Sequence, residues 1–139
     1  MNTGDFLKRT PLFSGLTDAE ISTVLATAKQ RTFPTGKRII RAGHEGGAGF
    51  YLVLEGNAEV TKNGVHLADH GPGSFFGEMA LLLEDTPRTA DVTATEPTTC
   101  VIITKWDLRS TLTTHPDIGV KMMGELARRL RDTNQVVGD

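Results

Sequence analysis

The residues with the clearest chemical potential lie in one run, Phe75-Phe76-Gly77-Glu78-Met79-Ala80-Leu81-Leu82-Leu83-Glu84-Asp85-Thr86-Pro87-Arg88-Thr89-Ala90. Gly77 permits close backbone approach where a short helical run, Glu78 to Leu82, begins. At such a start the amides of Glu78, Met79 and Ala80 are expected to face outward together and favour an anion. Arg88, set in place by Pro87, can grip a phosphate through two N–H donors, and Thr89 adds a hydroxyl. An ionised Glu78 offers acceptors only, which suits a sugar hydroxyl and not a phosphate. One acceptor and one cation fixed side by side suggest a ligand with an anion and a vicinal hydroxyl. The plainer alternative makes Glu78 a helix-start carboxylate with Arg88 as its ion-pair partner. That alternative gives no role to Gly77, Ala80 and Pro87.

The elements around this run divide into a helical opening, a glycine-punctuated β middle and a helical end. Thr17-Asp18-Ala19-Glu20 reads as a capping box, and Ile21, Val24, Leu25 and Ala28 follow with helical spacing over about three turns. Phe6, Leu7, Leu12, Phe13 and Leu16, around Pro11 and Gly15, read as a short helix and an irregular turn. Strand character recurs at Arg31–Phe33, Arg38–Arg41, Phe50–Leu54, Ala58–Thr61, Val65–Asp69, Ala90–Thr95 and Thr99–Thr104. Asn63-Gly64 between two of these runs is a strong hairpin signal. The spacing of strands and turns predicts an antiparallel sandwich or barrel, mainly β. The run from Phe75 to Ala90 fits no strand. Lys105 to Thr114 predicts a helix stopped before Pro116, and a second helix then runs to about Val137. Its apolar face carries Ile118, Met122, Leu126 and Leu130, widened by Val120, Met123 and Ala127.

Composition narrows the function classes. The chain has 139 residues with Lys+Arg 15 against Asp+Glu 17, so no strong global field attracts nucleic acid or an anionic membrane. No segment approaches the length of about 20 apolar residues that spans a bilayer. The single cysteine, Cys100, excludes an intramolecular disulfide and a cysteine metal cage, and a reducing, cytoplasmic compartment is expected. Cys100 reads as a core residue in an apolar strand. His66 and His70 lie four residues apart in a strand, about 13 Å, too far to share one ion. No metal site and no catalytic residue is expected. Phe75, Phe76, Leu81 and Leu82 read as core, Gly71 and Gly73 as turn formers, and Trp106 as a packing anchor.

Gly77-Glu78-x-Ala80-Leu81-Leu82 followed by Pro87-Arg88-Thr89-Ala90 closely resembles the phosphate-binding cassette of cyclic nucleotide-binding domains. The likeness extends along nearly the whole chain. Phe50-Tyr51-Leu52-Val53-Leu54-Glu55-Gly56 and Gly71-x-Gly73-x-x-x-Gly77-Glu78 look like the family's two signature segments. Leu12-Phe13-x-x-Leu16 is similar to its N-terminal start. Ser74 departs from the family's usual acidic residue, and His44 from its usual aspartate.

The resemblance implies a jelly-roll-like β-barrel (a double-stranded β-helix) with N-terminal helices at about 3–29, a barrel at 30–104 and C-terminal helices at 105–137. The cassette would span about 75–90, all within one domain, 1–139. It implies that Glu78 accepts from the ribose 2′-hydroxyl and that Arg88 pairs with the cyclic phosphate. Amides at Gly77 and Ala80 would line the ribose-phosphate, with Met79, Thr89 and Ala90 completing the site. Arg128, Arg131 and Asn134 on the terminal helix become candidates to cap the base, although Glu125 and Asp132 balance the charge there. The implied function is a non-catalytic cyclic AMP or cyclic GMP sensor that needs no cofactor. Its C-terminal helices would move on capture and be read by a second copy or a separate effector. Those helices consume the residues after Lys105, which leaves no room for a DNA-reading module and makes a stand-alone sensor the expectation. A cupin-like small-molecule-binding or metal-dependent enzyme on a similar barrel is the first rival. Missing metal ligands argue against it. An interaction module with a non-binding cassette is the second, opposed by intact Glu78 and Arg88.

Overall fold

The computed structural model describes residues 2–43, 49–83 and 89–136. It divides into two compact units, Met1–Ala26 with Arg109–Asp139, and Thr27–Leu108.

The first unit is helical. Asn2 caps α1 (Thr3–Arg9), and a 3-10 turn, Pro11–Phe13, follows. Thr17 opens α2 (Asp18–Leu25) with the expected capping box: its hydroxyl accepts from Glu20 N, and Glu20 Oε1 accepts from Thr17 N. This helix is shorter than its apolar spacing predicts and excludes Ala28. Ala26 N closes the last turn onto Ser22 and Thr23 carbonyls, and the chain then turns to strand pairing at Lys29. Ion pairs tie the unit together, Lys8 Nζ to Asp18 at 2.7 Å and Lys121 Nζ to Glu20 at 2.6 Å. The long helix α4 (Pro116–Val136) packs against the Pro11–Phe13 turn and buries Ile118 and Met122. Of α3 (Lys105–Thr114), the last turns belong to this unit.

The second unit is two four-stranded antiparallel sheets. One has β1 (Lys29–Phe33), β8 (Thr98–Thr104), β3 (Gly49–Glu55) and β6 (Phe75–Phe76) side by side in that order. The other has β2 (Arg38–Ile40), β7 (Asp91–Ala94), β4 (Ala58–Lys62) and β5 (Val65–His70). All seven strands read from the sequence are present within one or two residues at each end. Asn63 and Gly64 both take positive φ (53° and 78°) in the β4–β5 turn, so the hairpin signal holds. Phe33, Val53 and Cys100 of the first sheet pack with Ala94 of the second. Ile39, Tyr51 and Phe76 touch both this cluster and a neighbouring one of Ile40, Ala58 and Val92. The core of the unit therefore lies between the sheets.

Three expectations need correction. Phe75–Phe76 is a strand, because β3 supplies the ladder (Tyr51 opposite Phe76, Leu52 opposite Phe75) that a two-residue run cannot signal alone. Trp106 is exposed, with the Lys105 ammonium 4.7 Å over its ring; Leu108 is the residue buried there. Helices also take a larger share of the chain than a mainly β reading implies, α4 alone being 21 residues.

Candidate functional site

The cassette hangs from β3. Besides the β3–β6 ladder, Gly73 N donates to Val53 O and Val53 N to Ser74 O, which extends the pairing back into the Gly71–Ser74 turn. Side chains of β6 then alternate across the sheet, as strand geometry requires. Phe75 stacks on Phe50 at 5.7 Å, and Phe76 lies nearly parallel to Tyr51 at 5.1 Å. The residue after Phe76 is thereby delivered to a fixed point.

That residue is Gly77, in the left-handed region at φ 84°, ψ 14°. A side chain would be strained there, so glycine is what allows the abrupt change from strand to turn. Glu78–Leu81 follows as a 3-10 turn lying against β3, where the sequence predicts a helical run reaching Leu82. The tighter turn changes two expectations. Ala80 N bonds Gly77 O at 3.1 Å, so the third amide closes the turn and does not face outward. Leu82, expected in the core, falls beyond the turn and is exposed; Ala80 and Leu81 are the buried pair.

Glu78 is half-buried. Its Oε2 is shielded from solvent, and the residue is engaged in further interactions. Met79 is exposed, as is Thr89, and Ala90 is half-buried just before β7. Beyond it, Asp91 Oδ1 accepts from Ala42 N at 2.7 Å, holding the end of β2 to the start of β7. Gly77, Glu78, Met79 and Ala80 are thus gathered on one turn. Arg88, with Pro87 before it, lies outside the described residues, as does His44.

The candidate base-capping residues are on α4. Arg128 pairs with Glu125, and Arg131 with Asp132 at 3.2 Å, the balance of charge that the sequence suggests. Asn134 is exposed. Among the described residues, no three His, Cys, Asp or Glu side chains are grouped to hold a metal ion. No helix among them is long and apolar enough to cross a membrane. Cys100 is buried, and burial pushes its thiol up to about 11, which suppresses the thiolate.

Sequence reasoning weighed His70 only as a metal ligand and missed its place beside the cassette. Its Nδ1 lies 2.6 Å from Ser74 Oγ, and its ring is 5.2 Å from that of Phe76. The contact closes across the Gly71-Pro72-Gly73 turn, where no spacing rule announces it.

The family model described as the cyclic nucleotide-binding domain matches residues 30–115. This chain belongs to the cyclic nucleotide-binding domain family. It is 40% identical over 97 residues to the cAMP-dependent protein kinase regulatory subunit of Yarrowia lipolytica, matching 70% of this chain and 24% of that protein. It is 33% identical over 133 residues to the cyclic AMP receptor protein of Thermus thermophilus, matching 92% of this chain and 61% of the relative. The chain therefore spans less than two thirds of either curated relative. The crystal structure of the N-terminal domain of a Streptomyces coelicolor transcriptional regulator superposes with a TM-score of 0.89 at 30% identity. That match covers 97% of this chain and 99% of the other. The ligands that define this family are cyclic nucleotides, and its domains need no further cofactor to hold them.

Proposed function

We propose that this chain captures cyclic AMP or cyclic GMP without turning it over and acts as a regulatory sensor domain of the cytoplasm. The observation that carries the reading is Gly77 at positive φ opening the Glu78–Leu81 turn, inside the family's Gly-Glu…Arg-Thr-Ala pattern. In this reading Glu78 accepts from the ribose 2′-hydroxyl and Arg88 pairs with the cyclic phosphate. Gly77 and Met79 approach through the backbone, Ala80 gives a small buried wall, and Thr89 and Ala90 border the phosphate. Arg128, Arg131 and Asn134 are the residues from which a base cap is drawn. The two sheets form the jelly-roll barrel of the family, and residues 1–139 act as one domain.

The output is assigned to α4. At 100° per residue, Val120, Met123, Leu126, Ala127 and Leu130 fall within one third of the helix circumference, and its four large side chains are exposed. Such a stripe supports pairing with the same helix of a second copy, with a separate effector as the other partner it suits. Ligand capture shifts α4 only through a difference in affinity for its two positions.

Calorimetric titration with cyclic AMP and cyclic GMP tests the reading. Saturable heat with either nucleotide is expected. Absence of both heat and thermal shift at millimolar nucleotide overturns it.

A further inference from the structure

His70 ends β5 opposite Ala58 of β4 and is half-buried. Two contacts tie it to the segment that delivers Gly77. The first is its Nδ1 at 2.6 Å from Ser74 Oγ. Ser74 is itself fixed by its backbone, N to Gly71 O and O from Val53 N, so the imidazole is held against a rigid turn. The second is its ring, tilted 31° on Phe76 at 5.2 Å, with Phe76 in turn flat on Tyr51. His70, Phe76 and Tyr51 make one aromatic stack whose middle member immediately precedes Gly77 and Glu78.

We propose that His70 is a positioning residue of the cassette, and that its protonation loosens the Phe76–Gly77 segment and weakens nucleotide capture. The inference rests on the nucleotide-binding reading above. Its physical basis is that partial burial favours a neutral ring. A charge on His70 must be hydrated, and hydration at this half-buried position draws the ring away from Phe76. Among the described residues the groups around it are few. Asp69 is its neighbour on β5 and favours the charge; Glu59 on β4 is taken up by His66 at 2.7 Å. Tyr51 comes from β3, Phe75 and Phe76 of β6 carry no charge, and the Gly71-Pro72-Gly73-Ser74 turn carries none. Burial outweighs Asp69 and holds the imidazole below its ordinary value. A ring kept neutral by its packing gains charge only as pH falls, so capture is strongest above about pH 6.5 and declines below it.

The test is the dissociation constant of cyclic AMP (or of cyclic GMP, where that binds more tightly) on the whole chain between pH 5.5 and 7.5. The wild type is expected to bind about twofold to fivefold more weakly at the acid end, the span that a nucleotide-linked shift of about one unit allows for a ring held below its ordinary value. His70→Phe keeps an aromatic ring on Phe76 without a titrating group, and His70→Gln keeps a hydrogen-bonding side chain. Both are expected to lose this pH dependence, and His70→Phe to bind as tightly at pH 5.5 as at pH 7.5. A pH profile unchanged from the wild type in either variant overturns the proposal. Should a variant fail to fold, the NMR titration of the His70 ring in the wild type decides: nucleotide must lower its midpoint, and an unmoved midpoint overturns the proposal. Failure of both nucleotides to bind at pH 7.5 overturns the reading beneath it instead.

Discussion

In the proposed reading Glu78 and Arg88 divide a ligand between them, one accepting from a sugar and the other neutralising a phosphate, and each role has its own signature. Arg88→Leu is expected to cost about 2–4 kcal/mol of nucleotide binding by calorimetry, since a desolvated phosphate loses its cation. Glu78→Ala is expected to erase the preference for ribo- over 2′-deoxy-nucleotide. Equal losses toward both forms would refute its pairing with the 2′-hydroxyl. Cys100 stands apart from this chemistry. With its thiol buried and pushed up to about 11, it should react with an aromatic disulfide reagent at pH 8 only on the timescale of unfolding. Rapid modification of the native protein would show that the strand carrying it opens locally.

The elements hold their positions through a few contacts that single substitutions can break. Gly56, in the turn between β3 and β4, sits at φ 94°, and a Cβ there would meet Pro97 O and Thr98 Cα, the latter at 2.7 Å. Thr98 cannot retreat. It is fully buried, and its hydroxyl bonds Asn57 O and Glu96 O. Gly56→Ala is therefore expected to destabilise the fold by about 2–4 kcal/mol in urea denaturation, combining backbone strain with overpacking. On the β4–β5 hairpin, His66 bridges Glu59 at 2.7 Å and Asp69 at 3.5 Å. The hydrogen bond to Glu59 is the main cause that holds the ring above its ordinary value. A raised folded value means that the ring's stabilising effect is complete below about pH 6.5 and is lost as pH rises through the folded value. Thermal melts across pH 5.5–8.5 should therefore decline for the wild type relative to Glu59→Gln, which lacks the carboxylate. Parallel curves would remove His66 as a clip.

At the scale of the molecule, a ligand that binds only the folded state raises the melting temperature by mass action, about 2.7 kcal/mol at a hundredfold excess over its dissociation constant. The same ligand reports on the output. Amide exchange across Met122 to Asn134 is expected to slow when nucleotide is added, whether α4 caps the base or pairs with another copy. Protection confined to the cassette would make α4 passive and place the output on another surface. Cross-linking through a cysteine introduced at Leu130, exposed on the apolar stripe, separates pairing from capping.

Much of this protein is determined by local chemistry that any reader of the chain can follow. Thr17 and Glu20 cap α2 because their side chains reach amides three residues away, and Asn63-Gly64 turns the β4–β5 hairpin because both residues accept positive φ. The cassette is legible for the same reason: Gly77, Glu78 and Ala80 act over one turn of backbone, and family membership follows from that short pattern. Tertiary structure decided what depends on distant partners. Phe75–Phe76 is a strand only because β3 lies beside it, and α2 stops at Leu25 because β1 begins to pair with β8 four residues later. Leu82 and Trp106 are exposed despite apolar character, since burial depends on which neighbours arrive and not on the residue alone. His70 is the sharpest case: at four residues from both His66 and Ser74, its position in the chain favours neither. Folding sets its ring against Phe76 and its nitrogen against Ser74, because the Gly71–Ser74 turn reverses the chain there and extended β5 carries His66 away.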